Sequence, residues 1–73
     1  MSEEVLEVIK GLSSATGIAT SKFKLAMGIL PLCHATTIIE ARSVYFAAGE
    51  NNDIKYAALR RMVELEMRAR RQG

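Results

Sequence analysis

The sequence predicts an all-α fold, with short N-terminal helices followed by an antiparallel αα-hairpin, the whole assembled into an oligomer. Three observations predict it. Apolar residues recur at three- and four-residue spacing through most of the chain, the period of a helix face. Aromatics make up only 5% of the 73 residues, and β-branched residues do not alternate with polar ones, so strands are disfavoured. The two C-terminal helical segments each carry apolar residues on two sides, where a surface helix of a small monomer needs only one.

A chain of this length forms one domain, 1–73, divided into N-terminal helices with a small-residue loop (1–30) and a helical hairpin (31–71) turning at 49–52. Ser2 is placed to cap the first helix, with Glu3 and Glu4 in the first turn, where the dipole favours acids. Val5, Val8, Ile9 and Leu12 then share a face. Gly11 to Ser21 is nearly all small residues and reads as a loop or as a helix packed very closely on a neighbour. Thr20 or Ser21 can cap a second helix, whose Phe23, Met27 and Leu30 lie on one side. Pro31 either kinks that helix or begins a new one, because it fixes φ and lacks an N–H.

From Leu32 to Ala48 the periodicity predicts continuous helix. Gly49 suits the position after a helix end, and Asp53 suits the cap of a last helix running to about Arg71. Two apolar stripes appear on each of these helices. Leu32, Ala35, Ile39 and Phe46 oppose Ile38, Ala41 and Tyr45 on the first. Ile54, Ala58, Met62, Leu65 and Ala69 oppose Tyr56, Leu59, Val63 and Met67 on the second. The hairpin covers one side, and the N-terminal helices look too short to cover all of the other. The expected consequence is burial against a second polypeptide, with Tyr45, Tyr56, Leu59, Val63 and Met67 as the partner-binding residues. Arg60, Arg68, Arg70 and Arg71 would form a polar rim around them. The alternative is that Tyr56, Leu59, Val63 and Met67 pack under the N-terminal helices of the same chain.

Composition narrows the function classes. Small domains of this size are often stabilised by disulfides, a metal or a partner. Cys33 is the only cysteine and His34 the only histidine, so an internal disulfide and a four-ligand zinc site are both excluded. Neighbours on a helix point about 100° apart, so Cys33 and His34 make a poor thiol–imidazole dyad. No phosphate loop, dinucleotide glycine pattern or calcium loop is present. The expectation is a chain that is not an enzyme and uses neither cofactor, metal nor small-molecule substrate. The longest uncharged run, Leu25 to Ile39, is shorter than the roughly 20 residues of a spanning helix. A lone cysteine and an acidic N-terminus without a signal peptide suggest the cytoplasm. The net charge of +2 implies neither nucleic acid nor an anionic membrane by itself.

The arginines of the last helix are largely accounted for by helix stability. Glu64–Arg68 and Glu66–Arg70 are i,i+4 pairs in the favourable order, and Arg68, Arg70 and Arg71 lie where the dipole favours cations. The first functional expectation is therefore a protein–protein interaction module of adaptor, chaperone or inhibitor type, acting by helix–helix packing on itself or on a larger protein.

The alternative is a small DNA-binding regulator. Leu12 to Ala26 has the outline of a helix-turn-helix, with Gly17 in the turn, Ile18 after it and Phe23 as the buried anchor. Thr20, Ser21, Lys22 and Lys24 would then face nucleic acid. The pattern departs from the usual one at Thr16, where an apolar residue is common, and it offers no Arg, Asn or Gln to read base edges.

Overall fold

The computed structural model describes residues 1–29 and 32–72 of the chain. Among them are four helices and no strand. The choice between a kink and a new start at Pro31, and the facing of Leu30, lie outside the described residues.

The first helix, α1, spans Glu3–Thr16. Ser2 caps it by accepting the Val5 N–H at 3.2 Å, and Val8, Ile9 and Leu12 form its buried face. The small-residue tract remains helical as far as Thr16, whose hydroxyl donates to the Leu12 carbonyl at 2.7 Å. Gly17 then adopts the left-handed conformation, φ 77°, and its N–H donates to the Ser13 carbonyl at 2.9 Å. This is a glycine helix stop. After Ile18 and Ala19 the second helix, α2, runs Thr20–Ala26. Neither Thr20 nor Ser21 caps it: Ala19 holds the cap position and supplies no side-chain hydrogen bond.

The third helix, α3, spans only Ile38–Ala47. The sequence periodicity predicts helix from Leu32, and the structure corrects this to irregular chain from 32 to 35 with a bend at 36 and 37. The reason is local capping chemistry. Thr37 is extended and its hydroxyl accepts the Glu40 N–H at 3.1 Å, while the Glu40 carboxylate reaches back to Thr36 N–H at 3.3 Å and its hydroxyl at 3.1 Å. That reciprocal arrangement is close to a capping box and fixes the helix start there.

Residues 48–51 form the next turn, with Gly49 at φ 60°. The last helix, α4, spans Asn52–Gln72. Its cap is Asn51, whose Oδ1 accepts the Ile54 N–H at 3.3 Å, in place of the expected Asp53.

Helix α4 packs against α1, α2 and α3. It also holds Ile29 and Ala35, two non-helical residues beyond α2 and before α3. The Arg61 Nε donates to the Ala35 carbonyl at 2.7 Å, and the Arg60 guanidinium donates to the Ile29 carbonyl. Irregular backbone has carbonyls that no helix satisfies, and these two arginines supply the missing donors.

Central burial corrects the expectation of an intermolecular stripe on α4. Leu59 is 0% exposed and Val63 1%, in one cluster with Val8, Ile9, Leu12, Ile18 and Phe23. Ala58 and Met62, from the opposite stripe, are buried too. Tyr45 is buried, and Tyr56 and Met67 pack half-buried against the cluster. The N-terminal helices, though short, suffice because α1 is a full 14 residues long and its Val8, Ile9 and Leu12 are buried in the same cluster. Burying each large apolar side chain here contributes about 1.5–3 kcal/mol.

On α3 the outcome is different. Ala41 and Tyr45 turn inward. Ile39 remains 78% exposed and Phe46 59%, with the Arg42 guanidinium carbon 5.5 Å from the Phe46 ring centroid.

Candidate nucleic-acid interface

The α1–turn–α2 segment is built from inside outward. Ile18 in the turn and Phe23 and Ala26 on α2 are all buried. These three contacts dock α2 on the core and leave Ser21, Lys22, Lys24 and Leu25 exposed on its other side, with Thr20 half-buried. Thr16 does not disturb the turn, because its hydroxyl is satisfied by Leu12 and accepts the Ile18 N–H at 3.3 Å. A polar residue at that position is therefore accommodated by local hydrogen bonds in place of packing.

The fold brings to α2 two lysines that the sequence reading did not connect with it. Lys10 of α1 and Lys24 border one shallow cleft together with Thr20. Lys55, in the first turns of α4, places its Nζ 5.2 Å from the Tyr45 ring centroid. Lys22 donates from its Nζ to the hydroxyl of that same tyrosine at 3.4 Å. Lys10, Lys22, Lys24 and Lys55 are all the lysines of the chain. Among the described residues none of the four takes part in a salt bridge; both ion pairs there belong to Arg70, with Glu7 at 3.8 Å and Glu66 at 3.9 Å. No spacing rule links Lys55 to Lys22; the packing of α2 and α3 on α4 brings both to Tyr45.

The residues expected to bind a protein partner are not gathered on a free surface. Leu59 and Val63 are core, Tyr45 is buried beneath two lysines, and Tyr56 and Met67 are half-buried. The expected arginine rim is divided. Arg60 is tied to the Ile29 carbonyl and Arg70 to two glutamates, while Arg68 and Arg71 stay exposed. Exposed apolar residues include instead Ile39 and Phe46 of α3, Leu25 of α2, and Leu32 and Ile54 beside a groove of about 420 Å³. Cys33 and His34 line that groove, Cys33 half-buried and His34 exposed. No group of three His, Cys, Asp or Glu side chains able to hold a metal occurs among the described residues. No described helix is long and apolar enough to cross a membrane.

Comparison with protein-family models, with curated proteins and with solved structures yields no match to this chain.

Proposed function

We propose that this chain is a small non-enzymatic helix-turn-helix protein that binds duplex DNA through α2. The observation that carries the reading is the turn at Gly17, with Ile18, Phe23 and Ala26 sealed behind α2 and both of its lysines facing out. In a helix-turn-helix the second helix enters the major groove and the surrounding cations position it on phosphates. Here Lys22 and Lys24 would supply the phosphate contacts. Ser21 and Thr20 are short hydroxyl donors and acceptors, and exposed Leu25 suits apolar contact with a thymine methyl. Such a surface is strong on phosphate and poor in bidentate base readout, so modest sequence preference and steep salt dependence are expected.

The test is a titration with a fluorescent duplex at several salt concentrations. Binding should weaken linearly in log–log form, and Lys22→Ala/Lys24→Ala should reduce the slope by about 1.8, two contacts at about 0.9 each. Absence of binding at low salt overturns the reading.

A second reading is favoured by Ile39 and Phe46. The chain is then a protein–protein interaction module in which α3 and α4 act as an antiparallel hairpin and the outer face of α3, not α4, meets a second copy of the chain. The two readings are compatible, because helix-turn-helix units commonly bind paired half-sites as dimers. Light scattering tests the second one: a monomer at all concentrations removes it. A cytoplasmic setting accords with both, given the single thiol at Cys33.

A further inference from the structure

We infer that Lys22 and Lys55, held on opposite parts of the Tyr45 phenol, form a binding site for a phosphate oxyanion, and that Lys55 therefore contacts the nucleic-acid backbone alongside α2. The inference rests on the helix-turn-helix reading for the source of the phosphate, but not for the site itself. Tyr45 is 6% exposed and fixed in the core, so its ring and hydroxyl are a rigid platform. Its hydroxyl oxygen accepts a hydrogen bond from the Lys22 Nζ at 3.4 Å. The face of its ring attracts the Lys55 Nζ, 5.2 Å from the centroid, by the ring quadrupole.

Two ammonium groups thus converge on one neutral side chain from separate elements, Lys22 from α2 and Lys55 from α4. Among the described residues neither has a carboxylate within salt-bridge distance. Both ammonium groups are therefore available to an anion beside Tyr45. A phosphate offers several strong acceptor oxygens and accepts from two point-charge donors without demanding the planar fork of arginine. Tyr45 also removes part of the entropy that two free lysines would lose on binding, because both stems are already directed. The same chemistry could be met by a phosphodiester of duplex DNA or by free phosphate, and α2 beside the site favours the duplex.

The experiment uses the whole chain with two probes. Inorganic phosphate is titrated while the Nζ resonances of the lysines are followed by NMR, against sodium chloride at matched ionic strength. In parallel, duplex binding is measured across salt for wild type, Lys55→Ala and Tyr45→Phe. The expected result is that phosphate, and not chloride, moves the Lys22 and Lys55 signals together. Lys55→Ala should lower the duplex salt slope by about 0.9, as one lost phosphate contact requires. Tyr45→Phe keeps the ring in the core and the cation–ring contact. It should shrink the Lys22 response while leaving that of Lys55.

The site is overturned if neither probe engages Lys55, or if chloride reproduces the phosphate shifts. Duplex binding that persists with an unchanged slope in Lys55→Ala, with no phosphate response, removes the site and leaves the α2 reading standing. A phosphate response without duplex binding supports the site and removes the α2 reading.

Discussion

Helices α3 and α4 carry the same kind of sequence pattern, apolar residues on two nearly opposite sides, yet they meet different surroundings. On α4 both stripes are buried at their centres within the chain, Ala58 and Met62 on one side and Leu59 and Val63 on the other, while Ile54 stays exposed near the start of the helix. On α3 one stripe, Ala41 and Tyr45, is buried while the other leaves Ile39 and Phe46 in solvent. The difference is position. Helix α4 lies against all three other helices, whereas α3 packs chiefly on α4. Two-sided apolarity in a small helical chain therefore marks either the central helix or an unpartnered one, and the pattern alone does not separate them.

The comparison is broken most forcefully at Leu59. If α4 is central, Leu59→Ala should destabilise the monomer by about 2–5 kcal/mol through lost burial and a residual cavity. Chemical denaturation followed by far-ultraviolet circular dichroism measures it. A loss below about 0.5 kcal/mol would mean that Leu59 is not enclosed by its own chain, and α4 would return to being the interface helix.

Legibility in the sequence followed the range of the forces involved. Local rules held at Ser2, which caps α1, at Gly49 beyond α3, and at Gly17, which turns the chain into α2. Local rules in competition were harder to weigh. Apolar spacing from Leu32 favours helix, while Thr37 followed by Glu40 is a capping pattern, and the cap prevails because it satisfies backbone groups directly. The meeting of Lys22 and Lys55 on Tyr45 was not legible, because it depends on how three helices pack. Coverage of Leu59 and Val63 was misjudged for a related reason. Gly11, Ser13, Ser14 and Ala15 look like loop composition, and as helix they extend α1 far enough to close the core.

A smaller effect sharpens the comparison at the boundary of α3. Thr37→Ala removes the hydroxyl that accepts the Glu40 N–H and should destabilise the fold by about 1 kcal/mol. Hydrogen exchange should show faster opening of the first turn of α3 with α4 unchanged. Equal acceleration in both helices would mean that they form a single cooperative unit, with α3 no more peripheral than α4.

The smallest expected change in stability, and the sharpest contrast with Leu59, is at Ile39. At 78% exposure it has little burial to lose, so Ile39→Ser should change the unfolding free energy by no more than about 0.5 kcal/mol. Combined with Phe46→Ser it removes the exposed apolar surface of α3 and leaves Ala41 and Tyr45 to dock the helix. Sedimentation of wild type and double variant across concentration then separates two states of that surface. If a second copy covers α3, wild type associates and the variant does not, while the apparent stability of wild type alone rises with concentration. If both remain monomeric with coincident denaturation curves, Ile39 and Phe46 are solitary surface apolar residues of the kind every folded chain carries. Of the two stripes of α3, folding would then use only the one that carries Ala41 and Tyr45.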